Sequence, residues 1–151
     1  MPSAKKLPFT TSHAFIIGIN EYQNGISKLL TAVQDAEAIT KVLEEDYAYK
    51  VHPPLLDANK QEIEELLTRT IPDIVKEKDR VIFYFAGHGI ALDSDGGEPK
   101  GYLVPADADK GNTDSLVEMT LLHTALKKLS CKHGLLILDC CFAGAFKWSS
   151  G

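Results

Sequence analysis

The chain has 151 residues, 44% of them hydrophobic and 25% charged. That is the length of one domain with enough apolar side chain for a core, and it excludes a disordered tail, a collagen-like chain and a disulfide-stapled miniprotein. A formal charge of −5 supplies no basic field for nucleic acid or an anionic membrane, and leaves room for a cationic substrate.

Residues 1–12 form a polar lead-in. They hold two lysines but no apolar h-region, so they do not make a secretory signal. The apolar, β-branched run 13–19 suits a strand buried on both faces. A loop follows over 20–25. Across 31–45 the spacing of Val33, Ala36, Ile39 and Leu43 predicts a helix. Residues 49–56 form a second strand, weakened by Pro53 and Pro54. Asn59 with Glu62 makes an N-cap and its N3 acid, and Ile63, Leu66, Leu67 and Ile71 continue as a helical stripe.

The clearest strand covers 80–86 and ends at Gly87-His88-Gly89. A turn at 93–97 leads to a short strand at 101–105 and a polar loop over 107–115. Leu122, Leu126 and Leu129 mark a third helix, and 135–140 is a last buried strand ending in Asp139-Cys140-Cys141. No apolar run is long enough for a membrane span. Alternating strands and helices predict an α/β domain with a mostly parallel sheet, whose chemistry sits at the carboxyl ends of its strands.

The three cysteines, Cys131, Cys140 and Cys141, are too few and too odd for a disulfide framework and point to a reducing, cytoplasmic setting. A nucleophilic cysteine needs a base to take its proton. His88 and Cys141 stand at corresponding ends of two strands that can be sheet neighbours. The amides of Gly89 and Cys141 can then stabilise an oxyanion, while Gly87 and Gly89 permit sharp turning and close approach. His13, His52, His123 and His133 take a structural reading, as do Cys131 and Cys140 as small core residues.

Phe83-Tyr-Phe-Ala-Gly-His-Gly89 and Leu138-Asp-Cys-Cys-Phe-Ala-Gly144 resemble the two catalytic motifs of the caspase-like cysteine peptidases, nearest the metacaspase and orthocaspase branch. His13-Ala-Phe-Ile-Ile-Gly-Ile-Asn20, with Tyr22, resembles that family's first strand. The likeness runs from about residue 13 to 144. It implies a three-layer α-β-α caspase-like fold over 13–151, the large-subunit portion, with the small-subunit strands missing. It implies His88 as general base and acid, and Cys141 as nucleophile, since the family's motif puts the cysteine two residues after an Asp. Phe142 and Ala143 depart from the usual His and Ser without removing the dyad.

The resemblance further implies an S1 pocket made by Asp35, from Val33-Gln34-Asp35-Ala36, and Asp139. Asp139 and Cys141 lie about 7 Å apart on one strand face, and two carboxylates suit an Arg or Lys P1 side chain. Asp139 can alternatively cap the next turn or orient His88, and Asp35 suits a helix's first turn in any case. The implied function is a cysteine endopeptidase acting on protein or peptide substrates after basic residues, in regulated proteolysis or cell death. No organic cofactor, nucleic acid or membrane partner is expected. Many relatives are calcium-activated; Asp93, Asp95, Glu98, Asp107, Asp109 and Asp114 form an acid-rich set without EF-hand spacing, taken as solvated loop acids. Lys147 is a candidate autocleavage site, and Phe146 and Trp148 an apolar tail.

The alternative is a caspase-like scaffold without turnover in this fragment. A nucleotide-binding domain is disfavoured by the absence of G-x-G-x-x-G and P-loop patterns, and a serine hydrolase by the absence of G-x-S-x-G.

Overall fold

The computed structural model describes residues 9–93, 97–131 and 133–141, with Cys141 described by its backbone alone. Asp95, Phe142, Ala143, Phe146, Lys147 and Trp148 lie outside the described residues.

Strand β1 (Ser12–Gly18) forms from the β-branched run and is buried along nearly its whole length. It sits between β4 (Arg80–Leu92) and the short strands β2 (Lys50–Val51) and β3 (Leu55–Leu56), all parallel to it. The expected single strand 49–56 is thus two, because Pro53 and Pro54 have no N–H to give the ladder. On its other side β4 pairs in parallel with β7 (His133–Cys141), from Arg80 opposite His133 to His88 opposite Cys141.

β4 does not stop at Gly87-His88-Gly89, as its apolar run suggested. It continues to Leu92 and changes partner, pairing antiparallel with β5 (Lys100–Leu103) from Gly89 onward. β5 in turn pairs antiparallel with β6 (Val117–Glu118). The glycines make no turn here, and neither is among the glycines with positive φ.

Helices cover both faces, giving the expected three layers. On one face α1 (Ala32–Tyr47) packs Ala32, Ala36 and Leu43 onto Ala14, Ile16, Ile82, Tyr84 and Ala86. The contact is close at Gly18, where an added Cβ would come within 2.7 Å of the Ala36 Cβ and 3.0 Å of the Ala32 carbonyl. This glycine lets the start of α1, and Asp35 with it, settle onto the end of β1.

The opposite face carries α2 (Lys60–Glu65), a π-helical segment (Leu66–Thr70), α3 (Ile71–Ile74) and α4 (Met119–Lys127). They cover Phe15, Ile17, Phe83 and Phe85. The Asn59–Glu62 capping box forms as its spacing implies: Asn59 Oδ1 accepts from the Glu62 amide at 2.8 Å, and Glu62 Oε1 from the Asn59 amide at 3.1 Å. No helix among the described residues is long and apolar enough to cross a membrane.

A buried polar chain lies where β1 and β4 begin. His13 Nε2 meets Asp79 Oδ2 at 3.0 Å, and His13 Nδ1 meets His52 Nε2 at 3.0 Å. The His52 ring stacks on Phe15. These histidines are structural, as expected, although their partners were not foreseen.

Candidate active site

His88 stands between the end of the β1 pairing at Ala86 and the start of the β5 pairing at Gly89, opposite Cys141 of β7, and it is only 9% exposed. The polypeptide after β1 is folded back to meet it. Asp57 Oδ1 accepts the amides of Asn20 and Glu21 at 2.9 and 3.0 Å. Asn20 Oδ1 in turn accepts the Val33 amide at 3.1 Å, satisfying one of the unpaired N–H groups that open α1. The loop so anchored brings Tyr22 and Ser27 to the histidine.

The His88 amide donates to Tyr22 Oη at 2.8 Å, and the two rings lie 4.7 Å apart, centroid to centroid. Burial, joined by the charge of Asp57, holds the Tyr22 phenol well above its ordinary pKa, against the lowering effect of the His88 amide. It stays a neutral hydroxyl. His88 Nε2 lies 2.7 Å from the Ser27 carbonyl oxygen. A carbonyl only accepts, so Nε2 carries a proton and Nδ1 is the basic nitrogen of the neutral ring.

The amide beyond His88 has a definite direction. The Val104 N–H donates to the His88 carbonyl at 3.0 Å. Across that planar trans peptide the Gly89 N–H faces the opposite way, toward β7.

Gly87 admits Tyr22. A Cβ there would lie 2.8 Å from Tyr22 Oη and 2.9 Å from Phe85 Cζ. Phe85 is fully buried, so the strain falls on Tyr22. Gly87→Ala is expected to cost about 1–3 kcal/mol of stability, a fall of roughly 2–12 °C in Tm for this chain length. It should also displace the hydroxyl from the His88 amide. Thermal melts, with the activity assay given below, check both effects.

Asp139 lies on β7 opposite Ala86 and is exposed. Its Oδ2 accepts the Tyr84 hydroxyl at 3.1 Å. It does not face the Cys140 side, since Cys140 packs into the opposite cluster with Leu136 and Leu138. Asp35 is exposed in the first turn of α1. Burial first, then Asp139, then Asp35 at longer range, holds the Tyr84 phenol far above its usual pKa.

Tyr22, Ser27 and Tyr84 were not singled out for these roles from sequence. Ser27 acts through its backbone, which no side chain advertises. Tyr84 did carry a signal, because a hydroxyl in a buried strand must find an acceptor.

Among the loop acids, Asp107 Oδ1 accepts the Lys60 amide at 2.9 Å, and the Lys60 ammonium bonds the Asp114 carbonyl. Among the described residues no three His, Cys, Asp or Glu side chains are grouped to hold a metal ion.

The sequence pattern of the caspase domain matches residues 11–150. The chain belongs to the caspase domain family. The fold agrees: the crystal structure of protein GSU0716 from Geobacter sulfurreducens is similar at a TM-score of 0.70 and 16% identity, over 89% of this chain and 52% of that one. This caspase domain thus spans about half the length of that protein, and at such identity the likeness concerns the fold alone. No curated protein matches the chain.

Proposed function

We propose that this caspase domain is a cysteine endopeptidase of the metacaspase and orthocaspase type, cleaving after Arg or Lys, with His88 and Cys141 as its dyad. One observation carries the reading. His88 is the register partner of Cys141 on the last rung of the β4–β7 ladder, with its Nε2 committed to the Ser27 carbonyl.

Positions paired across a ladder share a face of the sheet. Nδ1 of His88 takes the Cys141 thiol proton, and the thiolate adds to the scissile carbonyl carbon. The C–N bond then breaks, with the amine leaving on the proton returned by His88. Water hydrolyses the thioester by the same route in reverse. The Gly89 amide, which faces β7, and the Cys141 amide hold the oxyanion. Both lie at the last described rung of the β4–β7 ladder, so a substrate carbonyl reaches them when that rung opens. Asp139, exposed on β7 two residues before Cys141, and Asp35, exposed in the first turn of α1, receive the P1 cation.

The domain extends over 13–151 and acts in the cytoplasm, in regulated proteolysis such as cell death. Further strands of small-subunit type complete the sheet along β7. Among the described residues β7 pairs with β4 alone, and its Leu135 is 54% exposed, an edge that needs cover.

Fluorogenic peptides differing only at P1 test the reading, with the small-subunit strands supplied. Arg and Lys peptides should exceed the Asp peptide by about 10²-fold in kcat/KM, the value of one or two charge-assisted hydrogen bonds. Preference for Asp would remove the acidic pocket; absence of turnover with every peptide would favour a scaffold.

A further inference from the structure

One carboxylate of the proposed P1 pocket, Asp139, is held by a residue of the sheet's interior. Tyr84 is 6% exposed and lies in the middle of β4, opposite Ile16 of β1 and Ile137 of β7. Its ring belongs to the apolar cluster beneath α1 with Ala32, Ala36 and Ile82. Strand and helix packing therefore fix the ring, leaving the hydroxyl little freedom of place. From there it reaches two residues further along β7, the diagonal neighbour on the same face, and donates to Asp139 Oδ2 at 3.1 Å.

Asp139 is exposed, and among the described residues the hydroxyl of Tyr84 bonds its carboxylate. The phenol supplies that selection. With Oδ2 held, Oδ1 faces a cation, and Asp35 stands in the first turn of α1, the helix whose Ala32 and Ala36 belong to the same cluster as Tyr84. A planar guanidinium or an ammonium arriving there finds the Asp139 acceptor already oriented, so less side-chain entropy is lost on binding.

We infer that Tyr84 is a positioning residue for P1 recognition, holding the Asp139 carboxylate through its hydroxyl so that Asp139 and Asp35 together receive a basic side chain. The inference rests on the proposed P1 reading and deepens it. Tyr84 touches neither substrate nor reacting atoms; it acts through Asp139.

Tyr84→Phe keeps the ring and its packing and removes the hydroxyl alone. For an Arg-P1 peptide we expect KM to rise about five- to tenfold, the size of one hydrogen bond lost to a charged group. The change in kcat should be smaller than the change in KM. Inhibition by agmatine, a small guanidinium, should weaken by the same factor, while an uncharged-P1 peptide shows no change in KM. In an Asp139→Asn background, Tyr84→Phe should have no further effect on the Arg peptide, because the two act as one unit.

If the wild-type protein discriminates basic from uncharged P1 but Tyr84→Phe leaves KM and agmatine inhibition unchanged, Tyr84 has no such role. Equal, additive losses in both backgrounds, or a matching loss with the uncharged peptide, also overturn it. If the wild-type protein makes no such discrimination, the P1 reading itself fails. A thermal melt of each variant identifies any loss that comes from the fold.

Discussion

Replacing His88 with alanine should lower kcat/KM by about 10³-fold or more, the contribution expected of a general acid–base within a covalent mechanism. Cys141→Ala should remove turnover to a similar floor. The double variant should fall no further than either single one, since thiol and imidazole act as one unit and cannot each be lost twice. The two single variants differ in what they do to the fold. His88 is buried, and its ring occupies the space between Tyr22 and the Ser27 carbonyl. Its removal leaves that carbonyl without its donor, so His88→Ala should melt a few degrees lower. His88→Gln, which can still donate to the carbonyl but is a poor base, should recover melting temperature without recovering rate. Recovery of rate by Gln would mean that His88 is only a structural donor, and the dyad would have to be abandoned.

Much of the frame was legible because its signals are local. The β-branched run of β1, the 3.6-residue spacing of α1 and the Asn59–Glu62 box each sit within a few residues, and each formed as expected. The family's motifs likewise brought attention to His88, and its place at the carboxyl end of the parallel ladder follows from α/β topology.

What escaped depends on distant partners. Nothing in 80–92 says that β4 will trade β1 for β5 beyond Ala86, because the antiparallel arm is recruited from residues 100–103. The glycines looked like turn-makers, yet Gly87 serves to admit Tyr22. The π-helical segment Leu66–Thr70 interrupts what the apolar stripe presents as one helix. His13 and His52 carried no local mark of the Asp79 that completes their chain.

That chain sets the second large expectation. Asp79→Asn should destabilise the fold by about 3 kcal/mol, the cost of breaking a buried hydrogen bond to a charged group. For this chain length the fall in Tm is roughly 6–12 °C. Asp79 is 4% exposed, accepts the Lys76 amide at 2.8 Å and accepts from His13 Nε2 at 3.0 Å. Burial pushes its carboxyl up, but the Lys76 amide and His13 more than reverse this and hold it below its ordinary pKa. Burial, then His13, then Lys50 holds the His52 imidazole down as well. Only one proton fits between the facing nitrogens of His13 and His52.

The signs then give a two-step acid response. The unfolded chain protonates His52 near about pH 6.5 while the folded chain resists, so stability falls as pH drops below that value. The depressed Asp79 carboxyl contributes stability that is present above about pH 4 and lost as pH falls further through its folded value. Melts from pH 8 down to pH 3 should therefore show a plateau, a first decline below about pH 6.5 and a steeper one below about pH 4. His52→Gln should flatten the first decline, and Asp79→Asn the second. A wild-type Tm that stays level from pH 7 to pH 5, with His52→Gln indistinguishable from it, would show that the imidazole pair does not resist its second proton. The acid response would then belong to the carboxylates alone, the buried Asp79 among them.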